Sequence, residues 1–317
     1  MTTRLILDCD TGTDDAVAIM AAAGHPELDL VAVTTVNGNV PLENTTDNTL
    51  RVLDHVGADV PVYPGAARPL IRPDFPIPRE VLNADSPEFQ VLQLDLPEAT
   101  STAQQTGAVQ FLIDTYLGDE GADIVLVATG PLTNLALALG AEPRLAARIP
   151  RLVIMGGGHR MGNVTPTAEF NFWVDPEAAE AVLTAGIRDV TIVPLDATHA
   201  AELTLADCDR FDAIGTPAAL ASSAFVRHRI DTALRGDAEA AASTAVHDAV
   251  CVAYLVDPEV VTRSGVHPVN VETTGTRTLG EMIVDTRQWT TEPTTARVAF
   301  DADAARFADV LADAFRG

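Results

Sequence analysis

The sequence predicts an α/β fold, a single domain over residues 1–317 with a mostly parallel, Rossmann-like sheet flanked by helices. Three observations predict it. Short apolar, β-branched runs alternate with segments of helical spacing. Polar clusters rich in Gly, Asp and Asn sit where the apolar runs end. No repeat, low-complexity tract or linker divides the chain. An apolar fraction of 47% is enough to fill one core.

The elements follow in order. Arg4–Asp10 reads as a strand and Asp14–Gly24 as a helix, with two carboxylates favourably placed in its first turn. Leu28–Val36 is β-rich, and Leu42–Val56 has helical spacing. Asp123–Thr129 reads as a buried strand, then Gly130-Pro131 and a helix at Leu132–Leu139. Arg151–Met155 is a strand ending in three glycines. Asp175–Ala185 is a helix with Pro176 in its first turn. Val190–Leu195 is a strand. Helices are expected near Pro217–Leu234 and Ser243–Val256, then a β-rich patch at Val269–Val284, a strand at Arg297–Phe300 and a helix at Ala302–Phe315. Arg68–Pro97, rich in Pro and acidic residues, reads as a long irregular excursion of the kind that forms lids or binding elements.

Composition excludes several functions. A net charge of −25 argues against nucleic acid as a partner, because phosphate binding needs a basic surface. All 20 basic residues are arginine. Two origins fit: a GC-rich genome, or a high-salt cytoplasm where screening tolerates dense negative charge. The apolar runs are too short to span a bilayer, and the start MTTRLILD lacks a cleavable signal pattern, so a cytoplasmic protein without a membrane partner is expected. Three widely spaced cysteines argue against a disulfide framework or a Cys-based zinc site, and Cys9 and Cys251 read as buried thiols.

In open α/β sheets ligands sit at the carboxyl ends of the strands. The stretch LILDCDTGTDDAVAIM (Leu5–Met20) places Asp8, Asp10, Asp14 and Asp15 at such an end. Like charges this close repel unless a cation or solvent compensates them. An EF-hand loop counted from Asp8 would need Gly and Glu where Thr13 and Ile19 stand, which excludes it. DCDTG looks like the start of a haloacid-dehalogenase-type phosphotransferase, although Gly12 replaces its Thr or Val and Asp14-Asp15 lies outside that pattern. The bland alternative is a solvated helix N-terminus with acidic capping.

Further segments select another pattern. TTVNGN (Thr34–Asn39), VATGPLTNLALAL (Val127–Leu139), VIMGGG (Val153–Gly158), GNVTPTAEFNFWVDPEAA (Gly162–Ala179) and AVHDAVCVAYLVDP (Ala245–Pro258) join the D-x-D-x-G-x-D-D cluster. In order and spacing they resemble the inosine–uridine nucleoside hydrolase family over nearly the whole chain. The resemblance implies a Ca²⁺ ion held by Asp10, Asp15, the Thr129 carbonyl and Asp248, with Asp8 behind them holding Asp10. It implies ribose binding by Asp14, Asn39, Met155, Asn163, Glu169, Asn171 and Asp248. It also implies hydrolysis of a ribonucleoside to ribose and free base, in nucleoside catabolism or purine and pyrimidine salvage, by a homo-oligomer (dimer or tetramer).

Each residue also has a plainer reading. Asn39 after Gly38 and Asn163 after Gly162 could be turn residues. Glu169 and Asn171 would share a face of extended backbone, as on a solvated edge. His247, inside an apolar helix, could be a core histidine. Beside Asp248 it is instead the candidate acid for the departing base, while Asp10 is the candidate base for water. Many family members carry a His-containing loop near the base, but Pro78–Gln93 has no histidine. The segment SSAFVRHRIDTAL (Ser222–Leu234) is expected to line the other side, where Phe225 could stack on a base and His228 could hydrogen-bond one, although packing or solvent explains either equally well. A phosphotransferase with Asp8 as nucleophile, and a ribonucleoside-binding protein without turnover, stay open at this point.

Overall fold

A computed structural model describes residues 2–72, 91–236 and 242–317. Its strands are β1 (Thr3–Cys9), β2 (Leu28–Thr35), β3 (Val62–Pro64), β4 (Val125–Ala128), β5 (Leu152–Met155), β6 (Val190–Val193), β7 (Leu203–Thr204), β8 (Ser243–Thr244), β9 (Val261–His267), β10 (Val269–Val271), β11 (Met282–Val284) and β12 (Ala296–Ala302). Eight of them form one sheet in the order β3-β2-β1-β4-β5-β6-β12-β9. Every neighbouring pair is parallel except β12 and β9.

Period-two alternation assigns the two faces. Leu5, Leu7 and Cys9 of β1, Val127 of β4 and Val153 of β5 join one apolar cluster, with the helices Thr13–Gly24, Pro217–Gly236, His247–Val256 and Ala304–Ala314. Ile6, Leu126, Ala128, Leu152 and Ile154 face the other way, toward the helices Ala108–Leu117, Thr133–Ala141 and Pro176–Thr184. The chain winds outward from β1 in both directions, so the strand order reverses between β1 and β4. Asp8 lies beside Thr34 of β2 and beside Ala128 of β4. The segments Asp10–Asp15, Val36–Asn39 and Thr129-Gly130 therefore leave the sheet together at the switch point, where open sheets bind ligands.

The expected elements at Leu42–Val56 and Val190–Leu195, and the first strand and helix, are present with small shifts at their ends. The expected helix Ser243–Val256 divides: Ser243-Thr244 pairs with β7 as β8, and the helix starts at His247. Cys9, Cys208 and Cys251 are buried free thiols. Among the described residues no helix is long and apolar enough to cross a membrane. Most of the Arg68–Pro97 excursion, residues 73–90, lies outside the described residues.

Asn134 ties the switch point together. Its buried amide donates to Asp8 Oδ1 (2.8 Å) and to the Thr35 carbonyl (3.0 Å), and its oxygen accepts from Ala66 N (2.8 Å). Asn134→Ala leaves these groups without their partner, so urea unfolding should show a loss of at least about 2 kcal/mol. A loss below about 0.5 kcal/mol would show that the groups find other partners.

Candidate active site

The carboxylates are set by backbone geometry. Asp10 follows β1, and its Oδ2 accepts from Asn39 N at 2.5 Å. Gly38 and Gly130 close on it from two loops: a Cβ at Gly38 would lie 1.9 Å from Asp10 Oδ2, and one at Gly130 3.0 Å from Asp10 Oδ1. Only residues lacking a side chain allow that approach. Asp14 and Asp15 occupy the first turn of Thr13–Gly24, as expected. Asp15 accepts from Gly12 N (2.9 Å), Asn39 Nδ2 (3.1 Å) and Thr129 Oγ1 (3.1 Å). Asp248 stands in the first turn of His247–Val256. Two helix N-termini thus point their partial positive charge at one acidic cluster.

Oxygens of the buried Asp14, Asp15 and Asp248 lie within 4.8 Å of one another, a grouping able to hold a metal ion. Asp14 here joins Asp15 and Asp248, where the sequence reading had placed Asp10. Asp10 lines the same pocket and feels the Asp15 charge. Burial, then the Asp15 charge, pushes the Asp10 and Asp248 carboxyls well above the usual range. Burial, then Asp14, pushes Asp15 up to about 7. Glu169 is likewise raised to about 7, mainly by burial.

Asp10, Asp14, Asn39, Thr129, Met155, Asn163, Glu169, Asn171, His247 and Asp248, all expected from the sequence, line one pocket of about 570 Å³. Asp15 is fully buried behind it. Glu169 and Asn171 do not share an extended strand. Glu169 caps the short helix Phe170–Val174, accepting from Asn171 N (2.9 Å), Phe172 N (3.3 Å) and Gly157 N (2.8 Å). Asn171 Nδ2 donates to the Thr129 carbonyl (2.7 Å) and the Met155 carbonyl (3.2 Å), joining β4 to β5. Asn163 Oδ1 accepts from Phe170 N (3.0 Å).

Three further expectations are corrected. Asp8 does not hold Asp10: its Oδ1 accepts from Thr34 Oγ1 (2.5 Å) and from Asn134, and its Oδ2 is buried with no hydrogen-bond partner. His247 opens its helix rather than lying inside it. Its ring is enclosed on all but the pocket side, with Nδ1 2.7 Å from Thr198 Oγ1, and burial draws its pKa down to about 3. Phe225 packs in the core, and neither it nor His228 is among the residues lining the pocket.

The segment Ser222–Leu234 does reach the pocket, through Arg229 and Ala233. The buried Arg229 guanidinium meets Asp14 Oδ1 (3.4 Å), Thr13 Oγ1 (3.1 Å) and the Ala245 carbonyl (3.2 Å) and lines the pocket. A lone Arg in a helix, 216 residues from Thr13, carries no local signal of this role. Phe170, His199, Glu202 and Ser243 also line the pocket. His199 and Glu202 are three residues apart, and His199 Nδ1 lies 3.3 Å from Glu202 Oε1.

A profile of the inosine-uridine preferring nucleoside hydrolases matches residues 5–309. The chain is 40% identical to the pyrimidine-specific ribonucleoside hydrolase RihA of Escherichia coli (strain K12), over 99% of this chain and 98% of that one. Its fold is similar to a purine-preferring ribonucleoside hydrolase from Gardnerella vaginalis, with a TM-score of 0.88, 30% identity and coverage of 99% and 98%. It is also similar to a plant nucleoside hydrolase, with a TM-score of 0.84, 28% identity and full coverage of both chains.

The raised carboxyls make a stability prediction. Groups ordinarily near 3.8 to 4.5 and held near 7 in the fold keep protons that the unfolded chain has lost. Without a cation they favour the native state below about pH 4, and that contribution disappears as pH rises toward 7. A divalent cation held by the cluster would displace the protons. The gap in melting temperature between cation-saturated and metal-free protein should therefore widen from about pH 5 to about pH 8. A constant or narrowing gap would contradict this.

Proposed function

This chain belongs to the inosine-uridine preferring nucleoside hydrolase family and is a ribonucleoside hydrolase, and from the pocket we propose that it is Ca²⁺-dependent and that residues 1–317 act as one hydrolase domain. The observation that carries the reading is the pairing of a buried carboxylate trio with sugar-sized polar walls in one pocket. The donors fit a hard cation: carboxylates and a carbonyl, with no thiolate among them. Asp10, Asp15, the Thr129 carbonyl and Asp248 would hold Ca²⁺, with Asp14 beside them. When bound, the ion would supply positive charge that eases proton loss from water and fixes the hydroxyls of a sugar.

The chain's own residues perform the remaining tasks. Asp10 accepts the proton of the attacking water, its free lone pairs aimed by the Asn39 N–H. Asp14, Asn39, Asn163, Glu169, Asn171 and Asp248 orient the ribose over the floor made by Met155. Orientation lowers the barrier because attack then needs no further ordering. The anomeric carbon turns positive as the base leaves, as in other glycoside hydrolysis, and the negative wall of Asp14 and Glu169 favours that state over the neutral substrate. His247, neutral because it is enclosed, offers the base a hydrogen bond.

Aspartyl-phosphate chemistry finds no support. Asp8 would be its nucleophile, but Asp8 is 1% exposed, bonded to Thr34 and Asn134, and not among the residues lining the pocket. Identity to a pyrimidine-specific relative puts uridine and cytidine first among substrates.

Release of reducing sugar from uridine, cytidine and inosine, with Ca²⁺ or chelator, tests the reading. Sugar should appear only with Ca²⁺. Asp10→Asn should lower kcat by about 10²–10⁴-fold with KM little changed, since Asn cannot accept the water's proton. Near-normal turnover in this variant overturns the role of Asp10, and tight ribose binding without wild-type turnover overturns the enzymatic reading.

A further inference from the structure

We propose that Glu202 reads the far edge of the base and biases the pocket toward a base that carries an amino group there, cytosine over uracil. This deepens the ribohydrolase reading above and rests on it.

The order of groups along the pocket wall places Glu202. Asp248 belongs to the carboxylate end, and His247 precedes it in the first turn of the same helix. The His199 ring lies 5.3 Å from that of His247. Glu202 Oε1 lies 3.3 Å from His199 Nδ1. These residues all line the pocket. A ribose held at the carboxylates puts the glycosidic bond near His247. Glu202, two contacts farther out, then meets the edge of the base opposite that bond. On a pyrimidine this edge is C4, whose substituent distinguishes cytosine from uracil.

Glu202 is fixed in that position. It follows the turn His199–Ala201, and Leu203 and Thr204 continue as β7. The antiparallel pair β7–β8 sets Thr204 opposite Ser243. Ser243 Oγ donates to Glu202 Oε2 at 2.5 Å. Among the described residues Ser243 and His199 are its side-chain partners. A carboxylate has about four lone-pair sites and no proton to give. Two partners therefore leave acceptor capacity, and a side chain 32% exposed keeps it within reach of a ligand. The arginine of the pocket serves the other end, where Arg229 meets Asp14 at 3.4 Å.

The chemistry selects an amino group. Cytosine carries N–H donors on C4, and one of them meets a carboxylate oxygen in a charge-assisted hydrogen bond. Uracil carries a carbonyl there, so two acceptors would face each other with no proton between them. The N3–H of uracil offers no substitute, because carbonyls flank it on both sides. A site built to accept a hydrogen bond discriminates strongly against an analogue that lacks the donor. One bond to a charged group corresponds to a bias of about 10- to 100-fold.

The test measures kcat/KM for cytidine, uridine and pyrimidin-2-one riboside, which has only hydrogen at C4. It uses wild type, Glu202→Gln and Ser243→Ala with Ca²⁺ present. Dividing each variant by wild type removes the different intrinsic reactivities of the three bases. Gln presents an amide donor as well as a carbonyl. Glu202→Gln should therefore lower kcat/KM for cytidine and raise it for uridine, shrinking the cytidine-to-uridine ratio by about tenfold or more. The riboside without a C4 group should fall between them. Ser243→Ala unties the carboxylate and should shrink the ratio in the same direction by less. Structural damage lowers all three substrates alike, whereas opposite changes on cytidine and uridine mark a group that reads the edge. An unchanged ratio in Glu202→Gln, or equal losses on all three substrates, overturns the role of Glu202 and leaves the ribohydrolase reading in place. A wild type that releases no ribose from any of them overturns that reading and this role with it.

Discussion

The structure turns on one constraint: a parallel sheet gathers several carboxylates at the carboxyl end of β1 and buries them. Asp10, Asp15 and Asp248 are almost without solvent, and each is raised by burial and by its neighbours' charge. A cluster of this kind cannot ionise fully on its own. The fold supplies partial compensation. Two helices begin at the cluster, backbone N–H groups of Gly12 and Asn39 reach its oxygens, and the Arg229 guanidinium lies against Asp14. A bound cation would complete it, and under the proposed function the same unbalanced charge would serve a sugar that turns positive.

The walls of the pocket come from two parts of the fold. The acidic end is built by elements that radiate from the switch point between β1 and β4, so its geometry is tied to the central sheet. The other end is built by the turn after Leu195–Thr198 and the small β7–β8 pair, outside that sheet. Full-length similarity extends both to a relative described as pyrimidine-specific and to one described as purine-preferring.

Much of this was legible in the sequence. Apolar runs broken by polar clusters located most strands of the central sheet, and the Asp8–Asp15 stretch pointed to the carboxylate cluster at the end of β1. The failures have physical reasons. β9 reads VTRSGVH, and an edge strand with solvent on most sides needs no apolar alternation. β3 is only three residues long and contains proline. Glu169 and Asn171 looked extended because their helix is five residues long and its cap draws on Gly157, twelve residues away. Arg229 and the His199–Glu202 pair reach the pocket only through tertiary packing. Asp8, by contrast, is expected from its company to hold Asp10, but in the strand its carboxylate meets Thr34 and Asn134 instead.

The central claim is that the cluster stores protons which a cation replaces. Calorimetric titration of Ca²⁺ into metal-free protein, in two buffers of different ionisation enthalpy, counts the protons released per ion. The account predicts about one or more protons released near pH 6, with the number falling and the affinity rising as the solution approaches about pH 8. Binding with no proton release across that range, or no binding at all, would contradict it.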